Sequence, residues 1–162
     1  MSFFKRHKPL RRKTPLRRTR KSPRLPTNPK DLKRLSLMEL EDIAWTYFSI
    51  YIRKRDRISG DYAKCITCPK ILHWRAMDAG HFVTRRCRPI KFHELNNHAQ
   101  SPDCNREGGG MSKVYEAKLR ELYGDAIVDE FLRYKKVCPV EIFTRTELIE
   151  LLHKYKPLSE ES

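Results

Sequence analysis

Cys65-Ile66-Thr67-Cys68 is a knuckle whose two thiols can share one cation. A third thiol, Cys104, follows at the start of a helix opened by Ser101-Pro102. That position lowers a thiol's pKa and favours the thiolate, the form that binds metal. Ser101 reads as the N-cap and Pro102 as the first helical residue. Three thiolates leave one corner of a tetrahedral zinc site to another group. His98, Cys87, Asp103 and His73 are the available donors, and His98 ranks first because it lies on the same approach to the helix. The alternative is a metal-free module with buried thiols. Cys138 is remote and is expected only to pack.

Between the knuckle and Cys104 lies Asp78-Ala79-Gly80-His81, a carboxylate and an imidazole on one expected strand. Hydrolysis of a phosphodiester needs a base to take a proton from water. It also needs a cation against the phosphate and the leaving oxygen. His81, with a pKa near neutrality, suits the base. Asp78 is a hard oxygen ligand suited to Mg²⁺. Asn105 follows Cys104, so a metal-bound knuckle would hold its amide beside that cation, and Asn96 has the donors and acceptor to fasten the intervening loop. Gly80 leaves room for a backbone or a phosphate to come close.

These residues need elements to carry them. Ser36 and Glu39 have capping-box spacing, and Leu37, Leu40, Ile43, Ala44, Tyr47, Phe48, Tyr51 and Ile52 form one apolar face. The spacing predicts a helix over 36–57, its aromatics in the core, ending in the cations Arg53 to Arg57. Ser59-Gly60-Asp61 reads as a turn. Ile71 to Trp74 and Asp78 to Thr84 read as two short strands, and Gly108 to Gly110 stop the short helix after Pro102. Helices follow over 112–135, broken at Gly124, and over 144–156, opened by the pair Thr144 and Glu147. Residues 157–162 are expected to fray.

The 162 residues carry a net charge of +15. Fourteen Lys and Arg stand against Asp31 between Met1 and Leu35, so thirteen of those charges belong to the N-terminal part. Residues 1–28 hold four prolines and few large apolar residues, too few to offset the entropy of ordering. They read as a disordered arm that grips polyanion through Arg11, Arg12, Lys13, Arg17 and Arg18, or as a solubilising tail. No apolar run approaches a membrane span and no leader is visible, so the expectation is a cytoplasmic, DNA-binding protein with no membrane partner. The cysteines favour a reducing compartment and metal ligation over disulfides.

From about residue 52 to 150 the chain resembles the phage NinG/Rap recombination endonucleases, a branch of the HNH (ββα-metal) superfamily. Carrying the resemblance are Cys65/Cys68, Asp78-Ala79-Gly80-His81-Phe82, Arg85-Arg86, Phe92-His93-Glu94-Leu95-Asn96-Asn97-His98-Ala99-Gln100, Cys104-Asn105, Gly108 to Gly110 and Tyr115. It implies His81 as general base, Asn96 as the middle residue of the HNH triplet and Asn105 as the third, metal-binding position. It also implies branched recombination intermediates, Holliday junctions or D-loops, as substrates. Ser101 stands where the family has a cysteine, and Cys87 where relatives often have histidine.

The expectation is therefore an α+β protein. A zinc-stapled ββα-metal module (core motif 62–115) sits among helices in a domain over 29–156. Catalytic Mg²⁺ or Mn²⁺ would bind Asp78 and Asn105, and structural Zn²⁺ would bind Cys65, Cys68, Cys104 and His98. Arg85, Arg86 and the arm would hold phosphates. A homodimer would suit junction cutting, and host cytoplasm would be the location if the chain is phage-encoded. The rival readings are a non-catalytic zinc DNA-binding accessory for recombination or packaging, and a basic protein coating packaged DNA.

Overall fold

A computed structural model describes residues 32–161. The arm, with Arg11, Arg12, Lys13, Arg17 and Arg18, lies outside the described residues. Helix α1, Leu37–Arg55, begins as its sequence dictates: Ser36 Oγ accepts from Glu39 N, and Glu39 Oε2 accepts from Ser36 N at 2.9 Å. Its apolar stripe, Leu40, Ile43, Ala44, Phe48 and Ile52, is fully buried. It packs against Leu148, Leu152 and Tyr155 of helix α4, Arg145–Glu160. Arg55 ends α1, and Arg57 already belongs to the next strand.

Strands β1 (Arg57–Ser59), β2 (Tyr62–Lys64) and β3 (Ile71–His73) form one antiparallel sheet, with the expected turn between β1 and β2. Strand β4, Asp78–His81, does not pair with β3. It pairs instead with β5, Asn97–Gln100, in the register Asp78 to Gln100 and His81 to Asn97. Beta5 is buried along its whole length although three of its four residues are polar, so it shows no period-2 pattern. A single-turn π-helix, Asp103–Glu107, follows β5 and leads through the glycines to α2, Ser112–Tyr123. Gly124, at φ 80°, makes the break before α3, Asp125–Lys136.

A second core joins Phe82, Val83 and Ile90 to Tyr115 and Leu119 of α2 and Val128 and Phe131 of α3. A third, under the two sheets, joins Ala63, Cys65, Trp74, Met77 and Ala99. The architecture is α+β, with the β4–β5 pair held between α1 on one side and α2 on the other.

Two expectations are corrected. The described residues beyond Pro157, 158–161, do not fray. Alpha4 runs on to Glu160, Leu158 packs on the first core, and Lys54 Nζ donates to Glu161 O. Cys138 is not a packed free thiol. It is exposed and disulfide-bonded to Cys87, with their Cα atoms 5.5 Å apart, because the chain leaving α3 passes the turn that follows β4. Cysteine usage therefore does not exclude disulfides.

Gly80 is packed tightly against Gln100 across the β4–β5 pair. A Cβ there would collide with Gln100 Oε1 and lie 3.0 Å from Gln100 Cβ. Gln100 cannot easily yield, because its Nε2 donates to Thr67 Oγ1 and Gly110 O, both at 3.0 Å. Gly80→Ala should cost about 2 kcal/mol by overpacking, read as a lowered urea midpoint; an unchanged midpoint would show that Gln100 moves freely.

Candidate functional site

One cleft gathers most of the chemistry. Asp78, His81 and Asn105 all line it, with Trp45, Arg53, Arg85, Arg106 and the glycines 109 and 110 around them. His81 closes β4 and is half-buried. Its Nε2 lies 3.2 Å from Lys91 O. A carbonyl only accepts, so Nε2 carries the proton and Nδ1 keeps the lone pair. That carbonyl is held in place by Asn97, whose Nδ2 donates to Lys91 O at 3.1 Å and to His93 O at 2.9 Å. The indole of Trp45 stacks on the imidazole, centroids 4.7 Å apart and planes at 18°. Burial, with the charges of Lys91 and Arg85, outweighs the carbonyl and takes the His81 pKa down to about 4. The ring is therefore neutral at pH 7.

Asn96 does not face the cleft. It is fully buried, accepts from Val83 N at 2.8 Å, and donates through Nδ2 to Val83 O and Ile90 O. It thus fastens the loop 82–96 that carries Arg85, Arg86 and Lys91. Arg85 reaches the cleft wall, and Arg86 lies in an adjoining hollow with Arg85, Arg88 and Lys91.

Asp78 is engaged on both oxygens. Asn105 Nδ2 donates to Oδ2 at 3.0 Å, Arg106 Nε to the same oxygen at 2.7 Å, and Arg106 Nη2 to Oδ1. Burial works to raise this carboxyl's pKa, but these donors prevail and the pKa is lowered. A carboxylate and an adjacent amide are hard oxygen donors of the kind Mg²⁺ takes.

The sulfurs of Cys65, Cys68 and Cys104 lie within 4.8 Å of one another and could hold a metal ion. Burial pushes the Cys65 thiol up, but the Thr67 hydroxyl and the Ser101 N–H, 3.2 Å from the sulfur, outweigh it and hold the group at about 6. Three thiol donors with a helical turn beneath them fit zinc. The hydroxyl of Ser101 lies 3.7 Å from Cys68 Sγ instead of capping the turn.

None of the proposed fourth ligands joins this cluster. His98 faces the other way: its Nδ1 lies 3.0 Å from Tyr115 Oη and its Nε2 2.8 Å from Tyr123 Oη. Tyr115 donates its only proton to Gly80 O, so His98 Nδ1 donates to Tyr115 and Tyr123 donates to Nε2. The zinc assignment of His98 fails because β5 turns that ring toward α2. Asp103 pairs with Lys70, His73 Nδ1 accepts from Arg75 N, and Cys87 is disulfide-bonded.

The family described as Bacteriophage Lambda NinG protein matches residues 4–161. The chain belongs to this family. No curated protein and no solved structure matches it. Within this NinG-family chain, sequence reasoning missed Trp45, Arg106, Tyr115 as a partner of His98, and Tyr123. Trp45 had a signal, since it is a large aromatic off the apolar stripe of α1. Arg106 had none beyond its place next to Asn105. No helix among the described residues is long and apolar enough to cross a membrane.

Buried His98 has its pKa lowered to about 4, mainly by desolvation. The unfolded chain takes up that proton near pH 6.5. Stability linked to His98 is therefore complete above 6.5 and lost as pH falls through about 4. The acid limb of a urea-midpoint profile should flatten in His98→Gln relative to the parent; identical limbs would place the loss elsewhere.

Proposed function

We propose that this chain is a metal-dependent endodeoxyribonuclease of the HNH, or ββα-metal, type, acting on branched recombination intermediates such as Holliday junctions or D-loops in the cytoplasm of the host. What carries the reading is the tautomer of His81: a proton fixed on Nε2 by Lys91 O, and a free Nδ1 in a cleft shared with Asp78 and Asn105. The order strand β4, strand β5, helical turn, with His81 on the first strand and Asn105 on the turn, supports the HNH assignment.

In this reaction His81 Nδ1 takes a proton from water as the water oxygen bonds to phosphorus. The bond from phosphorus to the 3′ oxygen breaks and that oxygen takes a proton from solvent water, leaving 5′-phosphate and 3′-hydroxyl ends. Asp78 and Asn105 are the residues that would hold Mg²⁺ or Mn²⁺, which supplies charge stabilisation to the phosphate and the leaving oxygen. Arg85 and Arg86 meet flanking phosphates, Trp45 orients the imidazole by stacking, Asn97 keeps its tautomer by holding Lys91 O, and Asn96 holds the loop. Cys65, Cys68 and Cys104 are the residues that would hold zinc, which would anchor the turn that carries Asn105.

The test is a panel of linear, flapped and four-way DNAs with Mg²⁺, alongside metal analysis of the protein. Nicks that need both Mg²⁺ and His81 are expected; tight binding with no nick on any substrate would refute the nuclease reading. The rival, a zinc-containing DNA-binding accessory protein, is favoured by one contact, the engagement of both Asp78 oxygens by Arg106.

The arm contributes affinity on this reading. If about half of its eleven Lys and Arg meet phosphates, deleting residues 1–28 should lower the salt slope of binding by about 5. An unchanged slope would make the arm a spectator.

A further inference from the structure

We infer that Arg106 is an exchangeable cation: it occupies Asp78 in the free protein, and on substrate binding it moves to a DNA phosphate, leaving Asp78 to the divalent ion. This rests on the proposed nuclease reading and adds to it a coupling between metal and DNA.

The geometry is specific. Asp78 is largely covered, its side chain 16 % exposed, whereas the Arg106 side chain is 69 % exposed. The guanidinium forks onto both carboxylate oxygens, with Nε to Oδ2 at 2.7 Å and Nη2 to Oδ1. A fork of this kind uses the in-plane lone pairs that a metal would use. A guanidinium and a divalent ion sharing one carboxylate would also repel each other at short range. The two are therefore alternatives at Asp78.

Arg106 can leave without disturbing the fold. It is the fourth residue of the single π-turn Asp103–Glu107, its side chain lies outside every core, and the glycines 108–110 follow. Released, it stays at the rim of the cleft that holds His81, where the phosphate must arrive. A phosphate offers the same planar pair of acceptors as a carboxylate, which suits arginine better than lysine. The ion would then bind weakly to free protein and strongly to the DNA complex. By linkage, DNA binding is strengthened equally by the ion.

Mn²⁺ binding to the full-length chain, followed by titration calorimetry, tests this without any cleavage readout. A His81→Ala background keeps the DNA intact. Arg106→Gln should bind Mn²⁺ roughly fivefold more tightly than its parent in the absence of DNA. A four-way DNA should tighten Mn²⁺ binding in the parent, and less so in Arg106→Gln. Asp78→Asn should weaken Mn²⁺ binding in both. Equal or weaker binding by Arg106→Gln, with the Asp78→Asn effect intact, overturns the exchange while leaving the cation site standing. Mn²⁺ binding that Asp78→Asn leaves unaltered removes the cation site itself, and the exchange with it.

Discussion

His81→Ala should lose roughly 10²–10⁴-fold in the rate of DNA cleavage while keeping its affinity for DNA. The loss is that of the base alone. Among the described residues the imidazole makes one hydrogen bond, to Lys91 O, and one stack, on Trp45, so its removal leaves a space at the end of β4 and breaks no core. Single-turnover cleavage of a branched DNA beside a binding isotherm separates the two quantities. The pH profile adds a check on the environment. In free protein the depressed pKa of about 4 keeps His81 neutral across most of the acid range. An arriving phosphate brings negative charge to the same cleft, which favours the protonated ring and raises its pKa. The acid limb of kcat should therefore lie above that of kcat/KM. Full activity in His81→Ala would remove this residue from the chemistry.

Trp45 covers one face of that imidazole, and it shows where sequence reading stops. The caps at Ser36/Glu39 and Thr144/Glu147 were legible because each is settled within four residues by local hydrogen bonds. The stripe of α1 was legible because burial on one face imposes its own period. Beta5 was not, because Asn97, His98 and Gln100 are buried through side-chain hydrogen bonds rather than by alternation: Asn97 to the nearby carbonyls of Lys91 and His93, His98 to Tyr115 and Tyr123, and Gln100 to Thr67 and Gly110. Proximity in sequence to Cys104 made His98 look like a ligand, but alternation along β5 sends its ring to α2. The three thiols and the trio Asp78, His81 and Asn105 were legible from residue type and spacing, and the fold does bring each set together. Whether a carboxylate is free or held, as Asp78 is by Arg106, depends on side-chain reach, which no spacing rule encodes.

Cys104→Ser should have the second large effect, and it should be regional. Cys65 and Cys68 belong to the turn between β2 and β3, Cys104 to the turn after β5, so a shared zinc would join the two sheets. Asn105 and Arg106 follow Cys104 directly, and a displacement of about 1 Å at such a site can cost on the order of 100-fold in rate. The core between α1 and α4 does not include this cluster. Helical circular dichroism should therefore persist in Cys104→Ser, while zinc content falls below one per chain and cleavage drops by about two orders of magnitude. Chelation of the wild-type protein should reproduce this, with the third core around Trp74 and Met77 loosening first. Because Trp74 is buried in that core and Trp45 is stacked in the cleft, indole fluorescence reports both events. A variant that kept one zinc and full cleavage would mean that Cys104 is only a packed thiol, and that the turn carrying Asn105 is held by its hydrogen bonds, among them Asn105 N to Ser101 O and Asn105 Nδ2 to Asp78.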